Sequence, residues 1–192
     1  NPYDRSKHLI VGGCHGNSSR LCRAQKKIRL ERNRPHQKLM NGFLLAMENG
    51  LLVMHHFHDF HPDGFVVLRE EDVVGLRSDE RERLWDRMLE GEGLLGALDT
   101  PPELDLSSMK MAILSAAERY PFLAIQCENE HDELIDFYFA KVIEADDETV
   151  TVHCVNGMAE WEDEEKEIEM DEITMVEFDT PYLKTFAKYV EL

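Results

Sequence analysis

The sequence lacks any apolar run approaching the roughly 20 residues that a membrane-spanning helix needs. Its longest apolar stretches, such as Leu51–Met54, have the length of strands. The stretch Leu9–Gly13 near the start is too short and too weakly flanked to indicate a signal peptide. We therefore expect a cytoplasmic protein with no membrane partner.

Motifs of common catalytic sites are also missing. The chain contains no GxSxG elbow, no P-loop and no GxGxxG fingerprint. Cys14 and His15 are adjacent, but two neighbours in sequence do not by themselves form a nucleophile and its base. We therefore expect a protein that is not an enzyme.

Cysteine is scarce, and its four copies form no CxxC pair. Cys14 and Cys22 lie in an irregular segment, whereas Cys127 and Cys154 lie in predicted strands. This usage is typical of free thiols in a reducing compartment. A disulfide between Cys127 and Cys154 is the alternative, because both could face one interior.

The charges divide the chain into a basic arm and an acidic body. Hydrophobic residues make up 43% and charged residues 31%, which supports a folded core. The net charge is −18, yet residues 1–38 carry ten Lys and Arg against two acids. Their net charge is +8, which leaves −26 on the rest. The arm could contact RNA, or it could lie on its own acidic body.

Alternating apolar residues predict a mainly β fold with flanking helices. Residues 1–25 form an irregular basic segment in this scheme, and residues 26–91 form a small barrel closed by a helix. Residues 92–121 supply a linker and a second helix, and residues 122–192 supply another barrel with a C-terminal helix. Ser78, Ser107 or Ser108, and Thr180 are the predicted helix caps.

An internal repeat with an offset of 100 supports this division. Residues 72–79 align with residues 172–179, and each segment is an apolar strand between acids that leads into a capped helix. The strand order and the ending Ile168–Phe178 resemble Sm-like and other SH3-like small β-barrels, including uncharacterised bacterial proteins with tandem copies. The resemblance implies two tandem barrels joined by a helical linker. The alternative is one mixed α+β domain with a shared sheet, which the same strands could also form.

The RNA contacts of the Sm family do not carry over to this chain. Those contacts come from a loop with Asp and Asn after the second strand and from a later loop with a basic residue and Gly. The matching turns here are residues 48–50 and 146–148. The later loops, residues 69–71 and 170–172, lack the basic residue with Gly. The resemblance therefore implies the fold without the RNA site.

A histidine-rich hairpin is the candidate metal site. His56 and His58 lie two residues apart, which places both on one face of a strand about 7 Å apart. His61 or Asp63 could complete a zinc site, since zinc takes three or four convergent ligands. The alternative is a set of solvated or half-buried hairpin residues.

A dense acidic run around one tryptophan is the candidate interaction site. It consists of Trp161, Glu162, Asp163, Glu164 and Glu165, and the stretch 160–167 forms either a loop or a sheet edge. Such a run is typical of a solvated face, and it could dock a basic partner with the tryptophan as anchor. We therefore expect a protein-interaction or self-associating module. RNA binding through residues 1–38 and metal binding at the hairpin are the alternatives.

Overall fold

Ten strands and three helices account for most of residues 26–95, 103–129 and 135–190, which the computed structural model describes. The strands are β1 (Lys26–Arg32), β2 (Leu39–Glu48), β3 (Leu51–His58), β4 (His61–Arg69), β5 (Val73–Arg77), β6 (Leu123–Glu128), β7 (Ile135–Ala145), β8 (Thr149–Val155), β9 (Trp161–Glu169) and β10 (Met175–Phe178). The helices are α1 (Glu80–Gly91), α2 (Met109–Ala117) and α3 (Pro181–Phe186). The predicted mainly β fold with helices is confirmed.

All ten strands join one antiparallel sheet, in the order β5-β1-β2-β3-β4-β10-β6-β7-β8-β9. β10 connects the two halves because it pairs with β4 on one side and with β6 on the other. The structure therefore has one continuous sheet where the sequence predicts two separate barrels. The residues of β4 that meet β10, Phe65–Leu68, are all buried and apolar, so an unpaired edge here would expose them.

The sheet has a core on each face, because alternate residues of a strand point to opposite sides. On β4, Val66 and Leu68 belong to one core, and Phe65 and Val67 belong to the other. The first core is built by the strands of the first half together with Met175 of β10. The second core is larger and surrounds α2 with residues from both halves.

The three helices begin at capped residues, as their sequences predict. Ser108 caps α2 and Thr180 caps α3 with Pro181 in the first turn. The prediction for α1 is wrong by one residue. Its cap is Asp79, which forms a capping box with Glu82, whereas the Ser78 hydroxyl donates to the carbonyl of Lys27.

The helices hold different positions relative to the sheet. α2 lies within the second core, where Ile113 and Ala116 are fully buried. α1 packs through Leu89 against the aromatic rings of β2 and β3, and α3 packs through Leu183 against the rings of Phe122, just before β6, and Phe139 of β7. Residues 92–121 therefore supply a core helix to the sheet.

Candidate functional site

The acidic run lies on β9, the last strand of the sheet. All five predicted interaction residues, Trp161 to Glu165, belong to this strand. Within the described residues β9 is hydrogen-bonded only to β8, so its outer backbone edge has no neighbouring strand. Of the two alternatives for residues 160–167, a loop or an edge, the structure shows the edge.

Trp161 is half-buried and holds the beginning of β9 against the sheet. Its ring lies 4.6 Å from the His153 ring and 5.7 Å from the Phe122 ring. The Nε2 of His153 donates to the carbonyl oxygen of Glu162 at 2.8 Å. These contacts place the tryptophan inside an aromatic cluster, where it positions the strand and leaves the acids as the exposed surface.

The acids of β9 form a row along one face of the edge. Glu165, Glu167 and Glu169 lie opposite residues 153, 151 and 149 of β8, and all three are exposed. Side chains two residues apart on a strand are separated by about 7 Å on the same face. We call Glu165, Glu167 and Glu169 the acidic row. The predicted run ends at Glu165, and the register with β8 places Glu167 and Glu169 beyond it on the same face.

The opposite face of β9 anchors the strand. Ile168 is buried in the second core, and Lys166 lies with its amine 5.3 Å above the Tyr138 ring. The same amine is 3.5 Å from the carboxylate of Glu162. Lys166, the one cation of β9, is therefore turned away from the acidic row. It does not compensate the negative charge of the row.

The charge of β9 determines which strands can pair with it. Its nine residues contain six acids and one Lys, a net charge of −5. Two such strands side by side would repel each other, and the register also shifts at residues 162–164. The open backbone edge of β9 therefore lies beside a strongly negative surface.

The predicted metal ligands are only partly brought together. His56 is buried, and its Nδ1 lies 3.4 Å from Oδ2 of Asp63. His58 and His61 instead pair across the exposed end of the β3-β4 hairpin. A register shift between His55 and Phe57 breaks the alternation on which the prediction depended. In the parts of the chain that the structure describes, no group of three or more His, Cys, Asp or Glu has a metal-binding arrangement.

Sequence reasoning missed a carboxylate that lies near His56. Glu177 of β10 accepts a hydrogen bond of 2.9 Å from Gln126 of β6. Burial raises the pKa of Glu177, and the neighbouring His56 opposes this rise. The sequence signal that could have revealed Glu177 is its position between two apolar residues, Val176 and Phe178, which are buried. A buried acid requires a partner.

Several cations of the basic arm serve the fold. Lys27 is buried with its amine 4.7 Å from the centre of the Trp85 ring, and Arg32 is fully buried. Arg34 forms an ion pair of 2.6 Å with Asp72. These side chains are committed to the protein itself, and the predicted contacts of residues 1–25 lie outside the described residues.

Cys127 and Cys154 are free thiols in the second core. Burial raises the pKa of Cys127 to about 12, and it raises the pKa of Cys154 as well. Both thiols are therefore held in the protonated, unreactive form. The alternative disulfide between them is not formed, and Cys14 and Cys22 lie outside the described residues.

No family model matches the chain, and no curated protein or solved structure is significantly similar to it. Among the described residues, no helix is both long enough and apolar enough to cross a bilayer.

Proposed function

We propose that the protein is a non-catalytic interaction module that binds a basic, extended segment of a partner protein along β9. The observation that supports this function is the open edge of β9 beside the acidic row. Strand addition supplies main-chain hydrogen bonds for affinity, and side chains on alternate positions supply specificity. A partner strand with Lys or Arg at every second position would face Glu165, Glu167 and Glu169.

We also propose that the halves are tandem copies of one Sm-like or SH3-like unit. The strand order β5-β1-β2-β3-β4 of the first half has its counterpart in β10-β6-β7-β8-β9. Leu68 pairs with Leu52 in the first half, and Ile168 pairs with Val150 in the second. Both pairs are buried, as expected for equivalent positions. On this basis β9 is the open counterpart of β4, whose edge β10 covers.

RNA binding through residues 1–38 and zinc binding at the hairpin have less support. Lys27, Arg32 and Arg34 contact other parts of the fold, which removes them from an RNA surface. The acidic body would also repel a phosphate backbone.

The free thiols of Cys127 and Cys154 support the expected location in the reducing cytoplasm.

The proposed function is tested by titrating the full chain with a fluorescent peptide of alternating Lys and Val. We expect binding that weakens with salt and that weakens at least about tenfold in Glu165→Lys with Glu167→Lys, about 1.4 kcal/mol. The matched control is Glu90→Lys with Glu92→Lys, which changes the net charge equally at the exposed end of α1. Equal losses in both variants would show general charge attraction and contradict a site on β9.

A further inference from the structure

We propose that a groove beside α2 is a second docking site, which binds a short peptide segment with bulky apolar side chains followed by Lys or Arg. The groove and the acidic row lie on opposite faces of the sheet, because α2 shares the second core with Ile168 whereas Glu167 lies on the other face. The inference therefore goes beyond the proposed function and does not depend on the edge of β9.

The groove consists of an apolar half and a polar half that meet at Asp105 and Ser115, which line both. The apolar half lies between α2 and β7 and has a volume of about 500 Å³. The polar half is lined by the end of β2 and the segment 103–107, and its volume is about 460 Å³. Volumes of this size are typical of ligand sites.

The apolar half presents side chains that a water-facing surface does not require. α2 has one charged residue among its nine, Lys110, and a helix that is apolar on nearly every side is typically buried. Met111 and Leu114 nevertheless remain only half-buried on its outer side. Across the groove, Ile143 of β7 is 46% exposed. These three side chains form an apolar surface that the described part of the chain leaves uncovered.

A β-bulge in β7 places Ile143 in the groove. The register with β8 shifts between Val142 and Glu144, and Ile143 is the extra residue. Val142 and Ile143 both line the groove as a result, whereas strict alternation would send neighbouring side chains to opposite faces. Bulges are common next to binding sites because they redirect a side chain in this way.

The polar half holds a fixed carboxylate at its junction with the apolar half. The N–H of Ser107 donates to Oδ1 of Asp105 at 2.9 Å, and the N–H of Asp105 donates to the hydroxyl of Ser115 at 3.0 Å. Hydrogen bonding to Ser107 lowers the pKa of Asp105, so this carboxyl is ionised at neutral pH. Leu104 and Leu106 anchor the same segment in the second core, which positions the carboxylate before any ligand binds.

The charge of the groove favours a basic ligand. Its acidic lining residues are Glu48, Glu103, Asp105 and Glu118. Among the described residues that line it, Arg119 is the one cation, and its guanidinium lies 3.4 Å from the carboxylate of Glu103. An apolar surface beside the other three acids fits a segment whose Leu or similar side chain enters the apolar half while Lys or Arg meets the carboxylates.

Fluorescence anisotropy with a labelled peptide, Gly-Leu-Leu-Gly-Arg-Arg, tests the site in the full chain. We expect saturable binding, and binding at least about tenfold weaker for peptides in which Glu replaces Arg or Gly replaces Leu. Ile143→Gln removes the apolar contact and Glu118→Lys reverses a charge, so each should weaken binding at least about fivefold. The matched controls, Leu84→Gln and Glu90→Lys, alter exposed residues of α1 and should bind as the unaltered chain does.

Equal losses in the groove variants and in their controls would overturn the inference, as would the absence of saturable binding to the unaltered chain. A second copy of the chain is the competing occupant. If light scattering shows a dimer that Ile143→Gln converts into a monomer, the groove is an interface between copies and the inference is wrong.

The Lys and Val peptide separates this inference from the proposed function. Glu165→Lys with Glu167→Lys should weaken binding of that peptide and change binding of the Leu and Arg peptide by less than about twofold. Loss of the Leu and Arg peptide in this β9 variant alone would overturn the inference and support the proposed function. No binding of the Lys and Val peptide, together with binding of the Leu and Arg peptide that depends on Ile143 and Glu118, would support the inference and contradict the proposed function.

Discussion

Arg32 and Glu128 form a fully buried ion pair between strands that lie five places apart in the sheet. The guanidinium of Arg32 donates to both carboxylate oxygens of Glu128, and neither side chain is exposed to solvent. A flat sheet would place β1 and β6 about 24 Å apart. Their contact therefore shows that the sheet curls over the first core until β1 and the end of β6 approach each other. Thr174, the residue before β10, also donates to Glu128, at 2.8 Å.

Removing one member of this pair should strongly destabilise the fold. Glu128→Ala leaves the Arg32 charge buried and unpaired, and we expect a loss of about 3–5 kcal/mol in the free energy of unfolding, measured by urea denaturation. The double variant Arg32→Met with Glu128→Leu should recover much of this loss. The exposed pair Glu31 and Lys38 is the control, where Lys38→Ala should change stability by less than about 1 kcal/mol.

Gly42 of β2 should not tolerate a side chain. A Cβ at this position would lie 2.0 Å from the carbonyl oxygen of His55, so the β2-β3 backbone must shift. We expect Gly42→Ala to lower the free energy of unfolding by about 1–3 kcal/mol. Gly91→Ala is the matched control, because a Cβ there meets nothing within 4 Å. A smaller effect at Gly42 than at Gly91 would contradict the close approach.

We expect Lys27 to make the free energy of unfolding depend on pH in the alkaline range. Burial lowers the pKa of its amine from 10.5 to about 8, although Glu82 and Asp86 oppose this shift. Between these values the unfolded chain binds more protons than the folded one, so the Lys27 contribution to stability rises with pH. Below pH 8 the Lys27 amine is charged in the folded state. Burying this charge lowers the free energy of unfolding by at most about 3 kcal/mol.

Lys27→Met should therefore raise the free energy of unfolding at pH 7 and remove this contribution between pH 8 and 10.5. Urea denaturation across this range measures the difference. Lys38→Met, at an exposed position, is the control and should follow the unaltered chain. An unchanged pH profile in Lys27→Met would show that the amine keeps its ordinary pKa.

The acidic row should keep the edge of β9 from pairing with other molecules of the protein. Replacing Glu165, Glu167 and Glu169 with Thr leaves an open edge without repulsion and with residues that favour strands. We expect the triple variant to form oligomers, measured by size-exclusion chromatography with light scattering. Replacing the exposed acids Glu80, Glu90 and Glu92 with Thr is the control, and a similar mass for both variants would contradict the role of the edge.

The sequence predicts the acidic composition of the candidate site and part of its extent along β9. The acids from Glu162 to Glu165 stand out in the sequence, and an edge was one of two alternatives for them. The alignment of Glu167 and Glu169 with Glu165 depends on the register with β8, which the sequence pattern does not contain. At the hairpin, a register shift between His55 and Phe57 interrupts the alternation on which the predicted zinc site depended, and that site stays a prediction.

The sequence by itself determined the strands, the caps of α2 and α3, and the distribution of charge. These features depend on residues within a few positions of one another, such as the alternation in β8 and Thr180 before Pro181. Only the tertiary structure decided that β10 joins β4, that Arg32 meets Glu128, and that β9 remains at the edge. Strand pairing between distant segments depends on which apolar edge must be covered. Which edge is left uncovered depends on how all the other segments pack, so a local sequence pattern does not contain it.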